Sequence, residues 1–396
     1  MIRPASRFAL MTGKRLPYDA EVEYLESTGT QYIDTGVKPS NDLRTKFRAA
    51  YTHTPIENNS TIFGSRSTAS SNDRYWLNYD SKFEVGYGSY YNTGVTVSPG
   101  EMFDVDFNYI ENGDHKFKIN DSVFTYSGTP NTTIGIILFG RIVGAQVTRC
   151  SSRFYSAQFF RNGVLVRDFI PVRKGTVGYL YDRVSGKLFG NAGTGAFSYG
   201  SDVVQVEWLE TSGTQYVDTG VVPGPGLDYS ISFAFTSMSS YSYIMGAWSS
   251  NNSNYYDLAE QSNTLIYAGL GTTQKAIANV PVGVFSTAEK RGLEIYIDGV
   301  KKNTFPADVQ SGSISSTILL FCVHRNYGPG YIVASQPLRV SKYSLTLNGT
   351  DIRKFLPVRV GTEGAMMDTL TRRIYRNAGT GAFSYGNDLK YPIPSE

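Results

Sequence analysis

Leu227–Phe235 reads LDYSISFAF. Ile231, Phe233 and Phe235 alternate with polar or small neighbours, which is the period of a half-buried strand. The same rhythm recurs along the chain. Phe103, Val105 and Phe107 alternate with Asp104, Asp106 and Asn108, and Phe117 and Ile119 run into Asn120–Asp121. Ile295 and Ile297 run into Asp298–Gly299, a hairpin signal, because both central residues of a type I′ turn need positive φ. No segment holds a helical period for twelve residues. Many short strands with frequent turns predict an all-β antiparallel sandwich of the jelly-roll kind.

Composition points the same way. The chain has 29 Tyr, 22 Phe and 40 Gly in 396 residues, with only 18% charged residues. Helical proteins run richer in Glu, Lys, Ala and Leu. A net charge of +3 gives no concentrated basic stripe, so no nucleic-acid partner is expected. No apolar run reaches the length of a membrane-spanning helix, so no membrane insertion is expected.

The sequence is written twice. NAGTGAFSYG stands at 191–200 and again at 377–386. EYLESTGTQYIDTGV at 23–37 matches EWLETSGTQYVDTGV at 207–221 in eleven of fifteen positions. Between these ends, TIFGSRS (61–67) answers to YIMGAWS (243–249), KFKIND (116–121) to EIYIDG (294–299), and GIILFGR (135–141) to STILLFC (316–322). RNGVLVRDFIPVRKGT (161–176) answers to LNGTDIRKFLPVRVGT (347–362). Such a repeat is far longer than those of solenoids, so each copy is expected to be a domain with its own core. The expected organisation is an arm (1–20), a first domain (21–200), a short linker (201–205), a second domain (206–388) and a tail (389–396).

The arm, MIRPASRFALMTGKRLPYDA, is basic through Arg3, Arg7, Lys14 and Arg15. Its apolar run Phe8–Met11 is shorter than a secretory core segment. It reads as a disordered start, or as an arm that docks on a neighbouring subunit or larger assembly. Cys150 and Cys322 do not occupy corresponding positions, so isolated thiols are expected, not a disulfide framework. Two scattered Cys and three His (His53, His115, His324) build no metal cluster.

The opening YLESTGTQYIDTG, the hairpins ending in IND or IDG, the ILLF-type strand and the closing FIPVRKGTVGYLYDRVSGKLFGNAGTGAF together resemble the laminin-G-like, concanavalin A-like jelly-roll family. The resemblance covers nearly the whole chain. It is nearest to the variety found in bacteriophage tail and virion-surface proteins and in surface proteins of gut bacteria. It implies a curved two-sheet sandwich with adjacent termini, and a role in binding glycans or other proteins. It also implies a virion-surface location, or a cell-surface or extracellular one as the alternative. The expected partners are other virion proteins, host-surface glycans and, for a homo-oligomer, further copies of the chain.

Glycanases of this fold carry Glu-x-Asp-x-x-Glu on one strand, where two carboxylates share the acid and nucleophile roles. Here the nearest stretch is FDVDFNYIE (103–111), with Asp104 and Asp106 on one face and Glu111 expected beyond the turn. The spacing is wrong, and VFSTAEKRG in the second copy has no carboxylate pair, so no catalytic residue is expected. Relatives often hold calcium at the sandwich rim; no cofactor is expected beyond that ion, for which Asp34 and Asp218 are the weak candidates. Asp before Thr-Gly is equally an ordinary turn former. For glycan or partner binding the candidates are aromatic: Tyr75, Trp76, Tyr79, Tyr87, Tyr90 and Tyr91 in the first copy, and Trp248, Tyr255, Tyr256 and Tyr267 in the second. Their flat apolar faces and polar tips suit sugars and protein hot spots alike.

Overall fold

The computed structural model describes residues 16–67, 74–130, 133–237, 242–249, 253–262, 265–324, 332–334 and 337–389. Every regular element among them is a strand. The chain divides into two compact units, Met1–Gly200 and Ser201–Glu396. Each is an all-β sandwich with its own core.

In the first unit, one antiparallel sheet runs through Ser122–Tyr126, Asp114–Ile119, Met102–Glu111, Leu43–Tyr51, Ser151–Arg161, Val164–Lys174 and Val177–Asp182. The second sheet centres on Ser60–Arg66, Arg74–Tyr79 and Phe83–Asn92. Gly140–Val143 joins Ser60–Arg66 in parallel and carries Gln146–Arg149 on its far side. Aromatic rings fill the space between the sheets. Phe47 lies 5.0 Å from Phe63, Tyr75 lies 4.9 Å from Phe107, and Phe83 lies 4.8 Å from Phe103. Such pairs add about 0.5–1.5 kcal/mol each beyond the area they bury.

The second unit repeats the plan. Leu227–Phe235 pairs with Leu338–Leu347 and Ser286–Arg291 in one sheet. Ser242–Trp248, Tyr255–Ser262, Leu265–Gly271 and Thr273–Asn279 follow one another in the other. The alternation in LDYSISFAF holds, since Leu227, Tyr229, Ile231, Phe233 and Phe235 are all buried. Asp298 and Gly299 take positive φ, +52° and +76°, as the type I′ turn requires. Both cysteines are free and buried.

The repeated decapeptide is a clasp between the two ends of each unit. Asn191 Oδ1 accepts hydrogen bonds from Tyr32 N (3.1 Å) and Gly193 N (2.7 Å), while its Nδ2 donates to Gly195 O (2.9 Å). Asn377 repeats all three, with Tyr216 N (3.1 Å), Gly379 N (2.8 Å) and Gly381 O (2.9 Å). A Cβ on Gly193 would stand 2.2 Å from Thr30 O, and one on Gly379 would stand 2.0 Å from Thr214 O, so neither site accepts a larger residue. The following strand pairs Tyr199 with Leu25, and Tyr385 with Leu209. Phe197 then packs 4.9 Å from Phe139, and Phe383 packs 5.0 Å from Phe321. Phe139 and Phe321 both hold positive φ and donate N–H to Ile62 O and Ile244 O respectively. That correspondence aligns Cys322 with Gly140, one residue away from the plain string match.

Candidate functional site

The middle strands of the second sheet in each unit send alternate side chains to opposite faces. Tyr75, Leu77 and Tyr79 enter the first core, with Phe83, Val85 and Tyr87. Tyr75, Tyr87 and Tyr256 are fully buried, and Tyr79 nearly so, which corrects the expectation that they form a binding platform. The reason is a polar tether. Tyr75 Oη donates to Leu43 O at 2.9 Å, and Tyr256 Oη donates to Leu227 O at 3.0 Å, the matching carbonyl of the second unit. Burial pushes the phenols of Tyr75 and Tyr256 well above their ordinary range. Tyr79 Oη reaches Val97 O at 3.3 Å. Burial likewise raises the Tyr87 phenol, to about 12.

The opposite face carries the other candidates, ordered by cross-strand register. Trp76 is flanked by Gly64 on one side and Gly86 on the other. Asp257 is flanked in the same way by Gly246 and Gly269. The row is therefore Gly–Trp–Gly in one unit and Gly–Asp–Gly in the other. The glycines are sterically required. A Cβ on Gly86 would stand 2.5 Å from Trp76 Cε2, and one on Gly269 would stand 2.3 Å from Asp257 Oδ1.

In the first unit the indole of Trp76 lies across Gly86, and the Arg141 guanidinium stands 5.2 Å from its ring centre. Trp76 is consequently only 4% exposed, which corrects the picture of a bare stacking surface. Tyr90 is 46% exposed and lies 6.3 Å from Trp76, with Arg74 5.9 Å from its ring. Glu84 accepts from Asn78 Nδ2 at 2.9 Å and from the Tyr90 hydroxyl, and that bond raises the Tyr90 phenol. Tyr91 is half-buried and donates to Ser127 O.

In the second unit Trp248 is 8% exposed, and its Nε1 donates to Asp257 Oδ2 at 2.5 Å. Gln274 Nε2 donates to the same oxygen at 3.2 Å. Tyr243, Trp248, Ala259 and Val323 form an apolar cluster on this face, with half-buried Tyr255 4.8 Å from Trp248. Tyr267, half-buried, stands opposite Ala259 on the neighbouring strand. Arg141, Glu84, Asn78, Asp257 and Tyr243 were not among the sequence candidates. Counting alternate residues outward from Trp76 reaches Asn78 and, past the hairpin, Glu84; Tyr243 lies beyond a register shift, and Asp257 and Arg141 sit on other strands.

The remaining candidates have local partners. Asp34 Oδ1 and Asp218 Oδ1 each accept the N–H two residues on, from Gly36 and Gly220, both at 2.9 Å, the turn geometry expected of Asp-Thr-Gly. Asp106 takes a bidentate pair from Arg44 (2.6 and 2.5 Å), and Asp104 pairs with Arg48 at 2.7 Å across the strands. Glu111 ends the strand, and the turn comes after it at Asn112–Gly113, not before it as expected. No group of three or more His, Cys, Asp or Glu residues that could hold a metal occurs among the described residues. Arg3, Arg7, Lys14 and Arg15 lie outside the described residues.

No family model matches the chain, and no curated protein matches it. Among solved structures the chain is similar to domains LG4-5 of the mouse laminin α1 chain, at 11% identity and a TM-score of 0.29, covering 99% of this chain and 100% of that one. It is also similar to the K499G mutant of NanB sialidase from Streptococcus pneumoniae, at 10% identity and a TM-score of 0.27, covering 93% of this chain and 76% of that one. Residue chemistry, not this likeness, bears on function.

Proposed function

We propose that this is a non-enzymatic recognition protein whose two sandwiches display their outer second-sheet faces to glycans or protein partners on a host surface. One observation carries the reading. Both units keep the clasp and the glycine-flanked row, while the residue at the centre of the row changes from Trp76 to Asp257. The positions around it change too: Arg66 and Arg141 of one unit are matched by Trp248 and Val323 of the other. A scaffold held constant beneath a varied, aromatic and polar surface suits recognition. Within this reading, the sequence resemblance favours a phage virion, as a capsid decoration, head fibre or tail-associated adhesin; a gut-bacterial adhesin is the alternative setting. Calcium at Asp34 or Asp218, and an arm docked through Arg3, Arg7, Lys14 and Arg15, belong to the same proposal.

The test is a glycan array probed with wild type and with a Tyr90→Ala, Tyr255→Ala double variant, beside mass spectrometry of purified particles. The expected result is saccharide binding by wild type and its loss in a variant whose thermal midpoint is preserved. A blank array, or equal binding by both proteins, refutes the glycan reading. Absence from purified particles refutes the virion setting.

A further inference from the structure

The inference that follows rests on the outer faces being recognition surfaces. Trp76 and Arg141 share an unusual feature. Trp76 Nε1 and Arg141 Nε are both buried, and neither has a hydrogen-bond partner. A buried donor left unpaired is costly, so two of them, on an indole and on a guanidinium 5.2 Å from its ring centre, call for an acceptor. The nearby carboxylate does not serve. Glu84 is engaged on both oxygens by neutral donors, Asn78 Nδ2 and the Tyr90 hydroxyl. Among the described residues, the charges acting on Arg141 include the guanidinium groups of Arg66 and Arg74 and the carboxylate of Glu84. Burial first, and those two guanidinium groups next, lower the pKa of Arg141. An anion beside it would offset both effects.

We infer that the outer face of the first unit is an oxyanion site, taking the carboxylate or sulfate of an acidic saccharide between Arg141 Nε and Trp76 Nε1. Tyr90 supplies an exposed aromatic surface next to it for the sugar ring. Among the described residues, the second unit has no counterpart of this donor pair. Its Trp248 Nε1 is already bonded to Asp257, and Val323 occupies the place of Arg141.

The experiment is calorimetric titration of the full chain with four probes: hexagalacturonate (carboxylates), a chondroitin sulfate hexasaccharide (carboxylates and sulfates), neutral cellohexaose and poly-glutamate. Wild type is expected to prefer one acidic saccharide over cellohexaose by about tenfold or more, as a charge-assisted hydrogen bond implies. The two acidic probes distinguish carboxylate from sulfate. Arg141→Gln should remove that preference, Arg141→Lys should restore part of it, and Trp76→Phe, which keeps a ring but lacks the N–H, should weaken it severalfold. Thermal midpoints check that each variant folds. Cellohexaose bound as tightly as the acidic probes overturns the inference but leaves glycan recognition standing. So does an acidic preference untouched by Arg141→Gln. Poly-glutamate bound in place of the saccharides overturns the saccharide assignment. A blank titration beside a positive glycan array overturns the site alone.

Discussion

Replacing Asn191 by alanine removes the bonds from Tyr32 N and Gly193 N to Oδ1, the one from Nδ2 to Gly195 O, and a longer one (3.3 Å) from Nδ2 to Thr194 O. Each contributes about 1 kcal/mol net. The site is half-buried, so water recovers part of the loss, and the expected cost is about 2–3 kcal/mol. With a urea dependence of about 2 kcal/mol per molar, the midpoint falls by roughly 1–1.5 M. Asn377→Ala strips the same three shorter bonds in the other unit and should cost nearly the same. Asn191→Asp keeps both acceptor bonds and loses the donor, so it should fall between wild type and alanine. Pulsed hydrogen–deuterium exchange along a urea series, read by mass spectrometry, follows peptides of each unit separately. A loss under about 0.5 kcal/mol at either Asn, or costs differing more than twofold between them, would refute the clasp as the reason the string is repeated.

Two further outcomes follow from buried groups. Lys290 is 2% exposed and its Nζ donates to Leu227 O (2.8 Å), with Asp228 at 3.0 Å and Asp308 at 3.5 Å. Lys290→Met leaves two carboxylates facing each other without their cation and should cost about 3 kcal/mol or more in urea denaturation; a change under 1 kcal/mol would contradict that accounting. Burial pushes the Cys150 thiol up to about 12 and the Cys322 thiol well above its ordinary value. Native protein at pH 8 should therefore show no fast-reacting thiol towards a disulfide reagent, and two after unfolding. The unfolded Cys150 thiol loses its proton near pH 9 while the folded one keeps it towards 12. Stability from this group is then fully present below pH 9 and falls as pH rises through that window.

Strand positions were legible because one buried face imposes period two, as in Leu227–Phe235, and because Asp298–Gly299 spells its turn. The duplicated ends were legible as structure, since the glycines at 193 and 379 stand where a Cβ meets a carbonyl. What could not be read is which face a given aromatic takes. Tyr75 and Trp76 are adjacent, yet one tethers Leu43 O inside the core and the other lies over Gly86 outside it. The glycine-flanked row depends on register between three strands, and a register shift interrupts the pairing of the first two between Thr61 and Phe63, just before the row. Burial on the outer face is invisible in the same way. Trp76 is covered by Arg141, which is remote in sequence.

The two faces also differ in sign, and that constrains what one ligand can do with both. Where the first unit has Trp76 with an unpaired N–H, the second has Asp257, a carboxylate at the same register position. Where the first has Arg141, the second has Val323 within an apolar cluster. An oxyanion moved from the first face to the matching place on the second would lose its cation and meet a like charge, a penalty of several kcal/mol once water is excluded. Equal occupancy of both units by one acidic motif is thus disfavoured by the side chains themselves. Avidity from the tandem arrangement would require a ligand that offers an anionic group to one face and an uncharged, CH-rich surface to the other.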